Sequence, residues 1–203
     1  MHIAGLIMTH QYSPKNCLDL FGEKGEDATV AELQQMHDTD TYTPMHPSEL
    51  TVEEKNKALS ALFFLTEKHD GRIKGRKVAD GSKMRTFEGY YRADGISPTI
   101  STDGLLITCA IDGYEGQDVC TIYIPGTFLQ AENGEFVIIL LRGKLAEMMV
   151  NVDPRLYRKY IFMGKGLQPM IYDRLYEVIC GLLRSMLFFY NKLVSKLEEM
   201  GLF

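Results

Sequence analysis

The sequence predicts a mixed α+β or α/β fold in which helices and strands alternate irregularly. Three observations predict it. An Asp70-Gly71 turn sits between two strand-like runs, a strong hairpin signal. The apolar runs Val119 to Ile124 and Phe136 to Leu141 have the length of buried strands. Ile179, Leu182, Met186, Phe189, Leu193 and Leu197 recur at the three- and four-residue steps of an amphipathic helix.

The elements follow in chain order. Thr29-Val30-Ala31-Glu32 has capping-box spacing, and Val30, Leu33 and His37 follow at helical intervals, so a helix is expected near 29–38. His46-Pro47-Ser48 reads as loop. Thr51 to Glu54 is a second capping box and opens a helix of one or two turns. Ala61 to Lys68 is a strand, His69-Asp70-Gly71 the turn, and Arg72 to Ala79 the returning strand, closed by Asp80-Gly81. Ser97-Pro98 places a cap before a first-turn proline. Ile100, Leu105, Leu106, Cys109 and Ala110 then line a helix to about Gly113, with Gly104 as its weak point. Val119 to Ile124 is a buried strand stopped by Pro125-Gly126. Phe136 to Leu141 is a strand, Gly143 to Met149 a helix, and Pro169 to Leu175 a strand or hairpin arm.

Composition narrows the class. The chain has 203 residues, 45% hydrophobic and 24% charged, which suits one globular domain with room for a subdomain and excludes wholesale disorder. Its longest apolar run, Phe136 to Leu141, is far short of the roughly 18 residues of a membrane span. Met1-His2-Ile3-Ala4-Gly5 has neither a basic n-region nor a cleavage site. An intracellular protein, cytoplasmic or nuclear and without a membrane partner, is the expectation. Cys17, Cys109, Cys120 and Cys180 form no Cys-x-x-Cys pair, and no histidine has ligand spacing, so neither zinc nor a disulfide framework is expected. The net charge of −5 argues against general nucleic-acid coating. Residues 68–92, however, carry 8 Lys/Arg against 3 Asp/Glu, which marks a local anion site on the hairpin.

Four blocks in order carry a family resemblance. They are Phe64 to Gly81, Ser97-Pro98-Thr99, Tyr123-Ile124-Pro125-Gly126-Thr127-Phe128-Leu129-Gln130-Ala131, and Leu175 through Gly181-Leu182-Leu183-Arg184-Ser185 to Tyr190. Over roughly residues 30–203 the chain resembles the reverse transcriptase domain of copia-type retrotransposons. The resemblance implies an α+β right-hand polymerase fold, an antiparallel sheet backed by helices. Residues 29–100 would be fingers-like, with the basic hairpin at 61–80, and 101–203 an incomplete palm. It implies RNA-directed DNA polymerisation by two-metal nucleotidyl transfer, with magnesium, an RNA template, a DNA primer and deoxynucleotides, within a larger polyprotein. By position, Lys68 and Arg76 resemble the pair that holds the incoming triphosphate, with Lys74 or Lys77 as substitutes. Phe128 resembles the ring that lies against its sugar. Gly181 and Ser185 lie where the family approaches the template. The alternative for each is plain structure: a solvated hairpin face, core packing, and helix surface.

The metal carboxylates of the family are missing. Tyr123 stands at the first palm Asp, and a phenol with a pKa of about 10 is no bridging ligand for divalent ions. Asp118 is an odd number of residues away, on the opposite face of a strand, and Glu132 lies beyond the turn. No Tyr-x-Asp-Asp or Asp-Asp pair occurs, and the chain stops at Phe203, which reads as truncation. Cys180, Met186 and Glu177 also depart from the family pattern. The expectation is a degenerate transposable-element fragment with no catalytic residue and no bound magnesium, inactive by itself. Two alternatives stand beside it: a non-catalytic nucleic-acid or nucleotide-binding module, and a fragment with no function. The missing hairpin should leave an exposed sheet edge and an uncovered apolar face.

Overall fold

A computed structural model describes residues 14–87, 99–164 and 166–202. It is a mixed α+β structure built on an open six-stranded sheet. The chain runs α1 (Pro14–Asp38), β1 (Tyr42–Met45), α2 (Val52–Lys57), β2 (Leu59–Glu67), β3 (Ile73–Ala79), α3 (Thr102–Glu115), β4 (Glu132–Arg142), α4 (Lys144–Val152), α5 (Pro154–Tyr157), β5 (Phe162–Met163), β6 (Pro169–Glu177) and α6 (Ser185–Glu199). The strand order is β1-β6-β4-β2-β3, with β5 beside β6. The sheet is not wholly antiparallel, as the resemblance implied. β2 meets β4 in parallel, through Leu59 opposite Ile139 and Ser60 opposite Leu140.

Local signals explain several elements. The Asp70-Gly71 turn closes a hairpin in which the Lys68 N–H donates to the Arg72 carbonyl at 2.8 Å, and Phe63 faces Lys77. The Thr51 capping box forms: the Thr51 hydroxyl accepts the Glu54 N–H, and the Glu54 carboxylate accepts the Thr51 N–H. β4 is apolar without alternation because both of its faces are covered. Val137, Ile139 and Leu141 join the main core with Leu33 and Met149. Ile138 and Leu140 join a second cluster with Leu50, Ala58 and Tyr172.

Other expectations are corrected. The first helix starts at Pro14, not near Thr29, and its backbone kinks at Gly22 (φ 52°). Thr29 is therefore mid-helix, and its hydroxyl donates to the Gly25 carbonyl at 2.7 Å instead of capping. Ser97-Pro98 lies outside the described residues; Ser101 caps α3, its hydroxyl accepting the Gly104 N–H at 3.1 Å. That helix runs past Gly113 to a left-handed Gly116. Val119 to Ile124 is no buried strand. It has no ladder partner among the described residues, and Tyr123 is 83% exposed. A six-residue apolar run lacks the periodicity that distinguishes a strand from other apolar segments. The last helix starts only at Ser185, because Gly181 turns the chain at φ 97°. Ile179 and Leu182 are buried ahead of it. Among the described residues, no helix is long and apolar enough to cross a membrane.

Candidate functional site

The hairpin, α1 and the segment before α6 enclose a cleft of about 280 Å³. Close approach of α1 to β3 creates one wall. A Cβ at Gly75 would lie 2.7 Å from the Ala28 carbonyl and the Phe63 ring, so only glycine permits this spacing. The approach brings the Glu32 carboxylate to the Lys77 backbone N–H at 3.2 Å. The opposite wall is pinned by two main-chain bonds. The Ala79 N–H donates to the Cys180 carbonyl, and the Val178 N–H to the Ala131 carbonyl, both at 2.8 Å. The second bond fixes the end of a 3-10 turn, Thr127–Gln130, that carries Phe128.

Lys74, Arg76 and Lys77 line this cleft together with Glu32 and Phe128. Burial raises the Glu32 pKa, while the charges of Lys74, Arg76 and Lys77 pull it down. The two exposed cations, Lys74 and Arg76, thus face one carboxylate, which leaves the mouth of the cleft with a positive excess. Phe128 is half-buried and meets Phe189 edge to face at 6.5 Å, so it packs and lines at once.

Behind the cleft lies a buried polar centre. Burial lowers the Lys77 pKa to about 8, against the opposing charges of Asp173 and Glu32. Burial raises the Asp173 pKa to about 6, with Lys77 opposing. Among the described residues, neither the Lys77 ammonium nor either Asp173 oxygen has a hydrogen-bond partner. The ammonium instead sits 3.9 Å from the centroid of the Tyr42 ring. The Tyr42 hydroxyl donates to the Met149 sulfur at 3.2 Å. The Tyr157 hydroxyl lies 3.1 Å from His37 Nδ1, and burial holds that phenol well above its ordinary range.

The structure brings together Arg76 and Phe128, with Lys74 and Lys77 beside them. It does not bring Lys68 there: that residue is exposed at the hairpin turn. Gly181 serves the backbone, since a Cβ there would collide with the Ala79 carbonyl oxygen. Ser185 is buried, and its hydroxyl donates to the Leu182 carbonyl at 2.9 Å. The sequence gives Glu32 only the spacing of a capping box, and nothing in it marks Asp173 as functional. Asp173 has a signal only of burial: it sits two residues from both Ile171 and Leu175, on the buried face of a strand.

Tyr123, at the one metal position that the resemblance implies within this chain, offers magnesium a phenol and no carboxylate. Tyr123, Asp118 and Glu132 are all exposed, and no acidic or histidine cluster able to hold a metal occurs among the described residues. Comparison with protein-family models, curated proteins and solved structures yields no match.

Proposed function

We propose that this chain is a degenerate relative of copia-type reverse transcriptases that no longer polymerises and that binds nucleotide or nucleic-acid phosphate in the hairpin cleft. In this reading β2, β3 and α1 are fingers-like, and the region from α3 onward is a partial palm. The observation that carries the reading is the shared cleft of Arg76 and Phe128, two residues distant in sequence. A planar guanidinium suits phosphate oxygens through paired hydrogen bonds, and Lys74 adds a point charge. Phe128 offers a ring edge against which a sugar can pack. Glu32 limits the positive excess and favours a modest, salt-sensitive affinity over tight capture.

Polymerisation is a different demand. In-line transfer of a nucleotidyl group needs carboxylates that hold two magnesium ions, and Tyr123 supplies none. Binding can outlive that loss because it needs only the cations and the ring.

The test is equilibrium titration with deoxynucleoside triphosphate, followed by calorimetry at two salt concentrations. Lys74→Ala with Arg76→Ala should weaken binding by about a hundredfold or more, since hydrogen bonds to charged groups contribute about 1.5–3 kcal/mol each. Unchanged affinity would remove the cleft from the function. No binding by the unaltered chain would leave a fragment without function.

A further inference from the structure

A second surface lies on the sheet face away from α1. There β6 presents Arg174 and Tyr176, and β4 presents Phe136. The Arg174 guanidinium carbon is 5.0 Å from the Phe136 ring centroid and 4.8 Å from that of Tyr176. Both rings stay open to solvent, Phe136 at 47% and Tyr176 at 42% exposure. The register between β4 and β6 is irregular just before Val137, which sets Phe136 at the margin of the ladder. Beyond Phe136 lies a separate pocket of about 170 Å³, with Phe87 and Lys57 on its far side. The Lys57 ammonium is 5.9 Å from the Phe87 centroid. Ring and cation thus alternate along one strip: Phe87, Lys57, Phe136, Arg174, Tyr176.

We propose that this strip binds a single strand of nucleic acid, with one base seated in the pocket against Phe136 and the backbone phosphates beside Arg174 and Lys57. A strand offers a planar base and an anionic phosphate at every nucleotide, which matches the alternation. Base stacking on sheet-borne aromatic rings tolerates any sequence, because every base has a flat face. Glu54 lines the pocket and keeps its negative charge while its carboxylate accepts the Thr51 N–H and hydroxyl; Glu53 is paired to Lys57 at 2.6 Å, but that pair is exposed and weak enough for a phosphate to displace Glu53. Glu135, next to Phe136, is paired to Arg184 at 2.7 Å. Lys83 and Arg85 add charge on the 3-10 turn that supplies Met84 to the pocket. This surface shares no residue with the hairpin cleft, so the two proposals stand or fall separately.

The test compares two fluorescein-labelled probes of equal length and charge, an oligodeoxythymidine and its abasic phosphodiester counterpart, by anisotropy on the full chain. The thymidine strand should bind roughly tenfold more tightly than the abasic one. Phe136→Leu and Tyr176→Leu, which keep apolar bulk, should each erase most of that difference while thermal melting stays near that of the unaltered chain. Arg174→Lys should weaken both probes less than the ring variants weaken the thymidine strand. Lys74→Ala with Arg76→Ala should leave the difference between probes intact. A strand carrying 5-iodouracil should cross-link to Phe136 or Tyr176, which reads the site without any substitution. Equal affinity for the two probes, or cross-links elsewhere, would overturn the proposal. So would binding of a phenylalanine-bearing peptide to the strip without binding of the strand, which would mark a protein surface instead.

Discussion

Two regions of the chain have similar apolar content and opposite fates. Around the hairpin cleft, Leu33, Leu59, Ile139, Leu141 and Met149 are buried between α1, α4 and the sheet. From α3 to Pro125, by contrast, Leu105, Leu106, Ile107, Ile111, Val119, Ile122 and Tyr123 are all exposed, and α3 buries none of its residues. The difference lies in spacing and in partners. Leu33 and Met36 lie on one face of α1 and join the main core together with the sheet residues Leu59, Ile139 and Leu141. In α3 the residues Leu105, Leu106 and Ile107 are consecutive and point around the helix, so no single face can cover them. Apolar composition supplies a driving force, but burial needs a surface of complementary period.

Matched truncations test that contrast and should give the largest effect. Leu141→Ala removes a fully buried side chain and should cost about 2–5 kcal/mol in denaturant unfolding. Leu106→Ala, the same chemical change in α3, should stay within about 0.5 kcal/mol. Comparable losses at both sites would mean that α3 is covered in solution.

The buried polar centre sharpens the comparison from within the packed region. Lys77 and Asp173 are both desolvated, and among the described residues neither is rewarded with a side-chain hydrogen bond. Replacing both, as Lys77→Met with Asp173→Leu, should stabilise the fold by about 1–4 kcal/mol at neutral pH. The pH dependence has a definite sign. Asp173 titrates at about 6 when folded, from an ordinary value of 3.8, so between these pH values the native state holds the extra proton. Stability from this group therefore falls as pH rises through that window. Lys77 titrates at about 8 when folded, from 10.5, so there the unfolded state holds the extra proton and stability rises with pH. The gain from the double replacement should be greatest between about pH 6 and 8 and shrink on either side. A gain that does not vary with pH would show that these two groups carry no titration penalty.

How much of the fold is legible in the sequence depends on how local each signal is. The hairpin turn at Asp70-Gly71 and the Thr51 capping box are legible because a few adjacent residues determine them. The strands at Phe136 and Pro169 show through their length and apolarity. The parallel meeting of β2 with β4 is not legible, since it joins segments far apart in the chain. The Tyr123 segment misleads for the same reason in reverse: it looks like a strand, but among the described residues no partner strand pairs with it. At the cleft, the family resemblance points to Arg76 and Phe128, whereas Asp173 hides inside an apolar run.

The smallest expected effect is also the most direct question about chemistry. Tyr123→Asp places a carboxylate where the proposed reading sets the first palm position. It does so in an exposed segment, with Asp118 and Glu132 also turned to solvent and no metal-holding cluster among the described residues. A lone exposed carboxylate binds magnesium weakly, because the ion keeps most of its water and needs several oxygens fixed in place. Two-metal transfer further requires both ions to be held a fixed distance apart. Primer extension on an RNA template with magnesium and deoxynucleotides should therefore be absent for the unaltered chain and equally absent for Tyr123→Asp. Stability should change by less than about 0.5 kcal/mol, as for other exposed substitutions. Extension by the variant would mean that the region from α3 to Pro125 folds onto a partner that supplies the remaining carboxylates, and the contrast between the two regions would then describe only the isolated chain.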